Sequence, residues 1–292
     1  MGKIQDIMFI YASPRYLMFA HAQAESFEKA KWIIVGIPSE LGSLSKVKNY
    51  LEGPEAIRDA SYRIFDPIFG KVNYEEIFDY GDLELEDIKN LEELYERIYQ
   101  EIKKIYRKDK KYVFLGGDHS ITYPILKLMK ENHDFALLYF DAHPDCEPDP
   151  YVNYQSFMYY LIKERIIEPE NVIFIGISNW SFREKEFLEE NKILYFTPYE
   201  IWDNINNVIE KIREKIKEKK VYISIDLDVF DTGCGHWLEP FGIRPFHYFK
   251  IIKEIKDFVD LIAFDVVELY PQEFCENFAA KLIIETIALF NK

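Results

Sequence analysis

The chain has 292 residues, a hydrophobic fraction of 48% and a formal net charge of −15. That length fits one α/β domain or two small ones; with no composition shift or linker to divide it, a single domain over 1–292 is expected. The charge argues against nucleic-acid backbone binding, which needs Lys and Arg surfaces, and leaves room for a small cationic ligand.

Apolar runs mark about eight strands in chain order, near 32–37, 76–80, 112–115, 135–140, 172–175, 193–196, 221–225 and 261–266. Helical patterns sit between most of them. Leu91, Leu94, Tyr95, Ile98, Ile102 and Ile105 form one apolar stripe at helical spacing, a core-facing amphipathic helix. Residues 206–220 alternate Ile with charged residues at the same spacing, and their charged face reads as solvated. Pro245 suits the first turn of a further helix, and 274–290 closes the chain as a helix. Strands alternating with helices imply a parallel sheet covered on both faces. Cys146, Cys234 and Cys275 are scattered and odd in number, which suggests a reducing compartment and no disulfide scaffold. No run of about 18 apolar residues and no basic-then-apolar N-terminus occurs, so neither a membrane span nor a signal peptide is expected, and the location is read as cytoplasmic.

Three segments place metal-binding side chains where an apolar run ends. They are Leu115-Gly116-Gly117-Asp118-His119-Ser120, Asp141-Ala142-His143-Pro144-Asp145 and Ser224-Ile225-Asp226-Leu227-Asp228-Val229-Phe230-Asp231. Strand alternation would put Asp141, His143 and Asp145 on one side, and Asp226 with Asp228. A lone Asp-x-Asp is usually a cap or a solvated loop edge. Three clusters at three parallel strand ends converge where open sheets build their sites. With His119 they supply two imidazoles and four carboxylates, more than one tetrahedral metal needs and suited to two ions sharing carboxylates. Such a cluster resists ionising without a cation.

The same motifs, in this order, resemble those of the ureohydrolase family of arginases and agmatinases. The likeness extends to Val35-Gly36-Ile37-Pro38, to 53–61, to Asp265-Val266-Val267-Glu268-Leu269-Tyr270-Pro271 and to 279–283. It implies a three-layer α/β sandwich and a homo-oligomer, trimer or hexamer. It also implies two metal ions, one on His119 and Asp145, the other on His143 and Asp228, bridged by Asp141 and Asp226. Oxygen-rich ligation without thiolate favours manganese, other divalent ions being possible. Such a pair lowers the pKa of a water from about 15.7 towards about 7. Asp145 is then placed to hydrogen-bond the nucleophile and pass its proton to the departing amine. Glu268 stands where the family binds the substrate guanidinium, a pairing that suits a carboxylate and planar N–H donors. Asp118 and Asp231 read as structural, and Cys146 as pointing away from the metals.

The sequence departs from the family on the substrate side. Glu147 stands where arginases carry Asn; a carboxylate there repels the carboxylate of arginine and favours a cationic tail such as that of agmatine. Gln155 lies in the stretch where the family has a histidine, and it can hydrogen-bond but not titrate. The loop after Asp231 is shortened and carries His236, an ordinary loop histidine or a replacement proton carrier. Phe278 stands near a family Thr. The expectation is a binuclear-manganese hydrolase that releases urea and an amine from an agmatine-like guanidine, in keeping with polyamine metabolism. Hydrolysis of another amidine or amide, such as a formimino compound, and a weakly catalytic metal-binding protein with a regulatory role are the alternatives.

Overall fold

The computed structural model describes residues 12–13 (backbone only), 17–46, 49–64, 66–235 and 240–291. One nine-stranded sheet runs in the order β1-β3-β2-β4-β9-β8-β5-β6-β7. The strands are β1 (Ala12–Ser13), β2 (Trp32–Ile37), β3 (Ile77–Leu83), β4 (Lys111–Gly116), β5 (Phe135–Phe140), β6 (Val172–Ile175), β7 (Leu194–Phe196), β8 (Lys220–Asp226) and β9 (Asp260–Val267). β2 to β9 are mutually parallel, and β1 pairs antiparallel with β3 at one edge. The eight apolar runs of the sequence are the eight parallel strands. The short β1 carries no periodic signal and escapes such a reading.

The helices are α1 (Gly53–Ser61), α2 (Leu91–Ile105), α3 (Thr122–Asn132), α4 (Phe157–Lys163), α5 (Phe182–Glu190), α6 (Pro198–Ile216), α7 (Pro245–Ile255) and α8 (Glu273–Phe290). Alternation along the strands sorts their side chains into two cores. Val113, Leu115, Leu138, Phe140, Ile223 and Ile225 pack with α1, α6, α7 and α8. Tyr112, Phe114, Leu137, Tyr139 and Tyr222 pack with α2, α3 and α4 on the other face. Helices on both faces of one parallel sheet make the three-layer sandwich.

Local signals set the helix starts. Asn90 caps α2 by accepting the Glu93 N–H at 2.9 Å, and Thr197 with Glu200 forms a capping box ahead of Pro198. α6 therefore begins at Pro198, eight residues before the charged run read from the sequence. Asn204 (φ −148°, ψ 71°) kinks it, which separates the short first segment from the periodic one. Among the described residues, no helix is long and apolar enough to cross a membrane.

The cysteine reading needs correction. Cys234 and Cys275 form a disulfide, and only Cys146 is free. The two lie 41 residues apart in sequence, and they meet because the loop after β8 folds back beside the start of α8. Sequence spacing carried no sign of that.

Candidate metal centre

The four strands β4, β9, β8 and β5 are neighbours in the sheet, and the motif residues leave from their carboxyl ends. His119 follows β4 in a short 3-10 turn capped by Asp118, whose Oδ1 accepts the Ser120 N–H at 3.0 Å and whose Oδ2 accepts the Gly42 N–H at 3.2 Å. Asp118 thus shapes the loop, as the sequence suggested. Asp231 pairs at 3.5 Å with Arg244 on the surface.

Asp141, His143 and Asp145 reach the site by a route other than strand alternation. β5 ends at Phe140, and the following loop is irregular. The His143 N–H donates to Asp141 Oδ1 at 2.6 Å, and Asp145 sits at φ +50°, a left-handed conformation costly for a non-glycine residue. Glu268 shares that feature at φ +59°. Asp228 likewise lies past the strand, in a turn fixed by its N–H donating to Asp226 Oδ1 at 2.8 Å. Gly235 packs so tightly over this turn that a Cβ there would fall 2.3 Å from the Asp228 backbone nitrogen, so only glycine fits.

Two groups of donor atoms result: His119, Asp141 and Asp226, and Asp141, His143 and Asp228, with the atoms of each group within 4.8 Å of one another. Asp141 belongs to both. Its Oδ2 lies 3.0 Å from His119 Nδ1 and its Oδ1 lies 3.5 Å from His143 Nδ1. His143 Nδ1 is also 3.0 Å from Asp228 Oδ2. Asp226 Oδ2 is 3.2 Å from His119 Nδ1 and Asp145 Oδ2 is 3.4 Å from it. Asp141 spans the two groups, whereas Asp226 belongs to the first alone.

The proton positions around His119 point to a cation. Ser224 Oγ donates its single proton to Asp265 Oδ1 at 2.7 Å, so at 2.9 Å from His119 Nε2 it must accept. Asp265 is locked in turn by Tyr222 and Thr122 hydroxyls at 2.7 and 2.9 Å. A neutral His119 therefore carries its hydrogen on Nε2 and a free lone pair on Nδ1. In that state Nδ1 and Asp141 Oδ2 face each other as two acceptors with no proton between them, and among the described residues Asp141 Oδ2 accepts no hydrogen bond. The donor set is all oxygen and imidazole nitrogen, with Cys146 turned away into the core, its thiol on Pro144 O. These residues fit a pair of hard or borderline divalent ions.

Charge tells the same story. Burial and the neighbouring Asp141 push Asp145 up to about 7, and burial with Asp228 and Asp141 pushes Asp226 well above the carboxylate range. Burial also raises Asp141, but the two imidazoles outweigh it and hold this carboxyl low. In the balance of these side chains alone, protonated histidines would have to supply the positive charge, and a metal supplies it better.

A cleft of about 350 Å³ opens over the cluster, lined by His143, Asp145, Asp226, Asp228 and Glu268 and also by Glu147, Tyr154, Gln155, Trp180 and Glu184. His119 is closed off at 1% side-chain exposure, whereas His143 is 25% exposed to the cleft. Glu268 Oε1 accepts the His119 N–H at 2.8 Å, while among the described residues the buried Oε2 accepts no hydrogen bond. Gln155 Nε2 donates to Tyr154 at 3.0 Å.

Glu147 stands at the cleft with partners of its own: its carboxylate accepts the Ser181 hydroxyl at 2.6 Å and pairs with Arg183 at 2.7 Å. His236 lies outside the described residues. Phe278 packs edge-on against Phe230, ring centres 5.1 Å apart. Sequence reasoning gave no role of their own to Arg183, Ser224, Asp265 and Tyr139. Tyr139 had a readable signal, since a phenol in an otherwise apolar buried strand needs a partner for its hydroxyl.

Fold and site together define an α/β sandwich with a candidate metal centre at the carboxyl ends of its strands. Residues 30–289 match the model of the arginase family, and the chain belongs to that family, whose members hydrolyse C–N bonds. It is 30% identical over 257 residues to an agmatinase of Chromobacterium violaceum, covering 82% of this chain and 76% of that one. Among solved structures it is similar to the agmatine ureohydrolase of Thermoplasma volcanium, with TM-score 0.81, 25% identity and 94% of both chains covered. It is also similar to the proclavaminate amidino hydrolase of Streptomyces clavuligerus, with TM-score 0.81, 22% identity and coverage of 95% and 99%; that second likeness speaks to fold alone.

Proposed function

We propose that this chain is a binuclear-manganese hydrolase that releases urea and an amine from a linear, agmatine-like guanidine. One ion would rest on His119 and Asp145, the other on His143 and Asp228, with Asp141 and Asp226 shared; other divalent ions fit the same donors. Bound there, two such ions activate water and offset charge in the transition state. The family also suggests a homo-oligomer.

The observation that carries the reading is Glu268 Oε2, a buried carboxylate oxygen with no donor, in the wall of the cleft beside the cluster. A guanidinium N–H supplies the missing donor in a charge-assisted hydrogen bond. Oε1 is already engaged by the His119 N–H, so Glu268 takes the substrate chiefly through one oxygen and is held in place by the loop that carries His119. Asp145, beside the cluster, is the group placed to hold the proton that the departing amine needs. Gln155 cannot titrate and serves only to position. The similarity to agmatinases supports a cationic tail, and Glu147 contributes little to that choice because Arg183 answers its charge.

A second reading, hydrolysis of another amidine or amide, is favoured by Gln155 in the histidine stretch and by Arg183 at the rim, a guanidinium that suits a substrate carboxylate. Manganese-loaded protein should be offered agmatine, arginine and a formimino amino acid, with urea and ammonia measured separately. Urea from agmatine at the highest kcat/KM supports the first reading. Turnover without urea replaces it by the second. No turnover of any of them by metallated protein leaves a metal-binding role without catalysis.

A further inference from the structure

Tyr139 is the penultimate residue of β5, and its ring is fully buried between the sheet and α4. It lies flat on His119, with ring centres 4.9 Å apart and planes 1° from parallel. Its hydroxyl oxygen is 2.6 Å from Asp145 Oδ2 and 3.1 Å from His119 Nδ1. A phenol has one proton, and the shorter contact to a carboxylate takes it. With its proton given to Asp145, the phenol leaves the Nδ1 lone pair of a neutral His119 free. The hydroxyl therefore fixes the rotation of the Asp145 carboxylate at a backbone held in a left-handed conformation (φ +50°), while the ring fixes the plane of the imidazole.

In the other half of the site, Asp228 Oδ1 accepts the Ala142 backbone N–H at 3.2 Å, and its Oδ2 lies 3.0 Å from His143 Nδ1.

We infer that Tyr139 is a positioning residue specific to one metal: it orients His119 and Asp145 together and so sets the affinity of the ion they share, leaving the ion of His143 and Asp228 to its own ligands. The inference rests on the proposed assignment of His119 and Asp145 to one ion.

The test is a manganese titration of the metal-free full chain, followed by calorimetry and by the electron paramagnetic resonance signal of the bound ion, on the native protein, Tyr139→Phe and Phe157→Leu. Phe157 packs on the same two rings, at 5.0 Å from His119 and 6.1 Å from Tyr139, and touches them only through apolar surface. Tyr139→Phe keeps the ring and removes the hydroxyl. It should weaken one of two binding steps by about 10–100-fold, the usual cost of losing a ligand-orienting hydrogen bond, and leave the other step within about twofold. Phe157→Leu should leave both steps in place. Two unaltered steps in Tyr139→Phe, or equal weakening of both steps in the two variants, would show that Tyr139 is packing only. If the native protein binds no manganese, the metal assignment falls first and this inference with it.

Discussion

Two buried acidic clusters lie along the same sheet, and they differ in whether a guanidinium of the chain completes their charge. On β3 and α1, Asp79 and Asp82 surround Arg58. The guanidinium gives Asp79 two hydrogen bonds, at 2.8 and 2.9 Å, and reaches Asp82 with its third nitrogen. The backbone N–H groups of Phe19 and Gly81 add donors to Asp79 at 2.7 and 2.9 Å. That cluster brings its own cation. Over β4, β9, β8 and β5, four aspartates and Glu268 gather around two imidazoles. Acidity and burial are common to both, so neither marks a site. What marks the second is that, among the described residues, no guanidinium or ammonium pairs with it, which calls for metal among the aspartates and a cationic substrate at Glu268.

The comparison can be broken from the complete side. Arg58→Met removes the guanidinium that pairs with two buried carboxylates and should cost about 3–5 kcal/mol of stability, read by denaturant melts, while the folded fraction keeps its metal content. A loss below about 1 kcal/mol would mean that the cluster is solvated. Next in size, Glu268→Gln keeps an acceptor for the His119 N–H but removes the charge offered to substrate. A charged hydrogen bond is worth about 1.5–3 kcal/mol, so kcat/KM for the guanidine should fall about 10–100-fold with metal content unchanged. An unaltered kcat/KM would place the substrate elsewhere.

Much of this contrast could be read from the sequence, and for a physical reason. In an open parallel sheet a site forms at the carboxyl ends of the strands, where apolar runs stop, so the candidate ligands His119, Asp141, His143, Asp145, Asp226 and Asp228 can be picked out by position. The eight parallel strands and the helices that cover them are legible on the same ground. What stayed hidden depends on contacts remote in sequence. Arg58 meets Asp79 across two elements, Asp265 reaches His119 through Ser224, and Arg183 answers Glu147 from the start of α5. The loop geometry of Asp145 and Glu268 was hidden too, because a left-handed backbone on a charged residue follows from packing and not from propensity.

Two smaller effects sharpen the picture. Glu147 is neutralised at the rim, so Arg183→Ala should unmask it and raise the preference for cationic-tailed over carboxylate-bearing guanidines. For an exposed pair the change is worth up to about 1 kcal/mol, roughly fivefold in the kcat/KM ratio. An unchanged ratio would show that the tail does not reach the rim.

Smallest is a pH effect away from the site. Burial, with Lys220 beside it, lowers His133 to about 4, since Lys220 Nζ sits 3.0 Å from Nδ1 and the Tyr106 hydroxyl meets Nε2. A histidine depressed in the fold contributes stability that is present above its ordinary pKa of 6.5 and is lost as pH falls through about 4. Thermal melts should show that decline in the native protein and a flatter profile in His133→Asn; parallel profiles would refute the assignment.

The central claim, that the incomplete cluster is completed by two metal ions, meets its most direct test in elemental analysis. Protein loaded with manganese and dialysed free of excess should retain about two ions per chain, as a shared-carboxylate site requires. Asp141→Asn, which weakens the carboxylate common to both groups, should drop to one or none while staying folded. A folded native protein that retains no manganese, or an Asp141→Asn variant that retains both ions, would contradict the account.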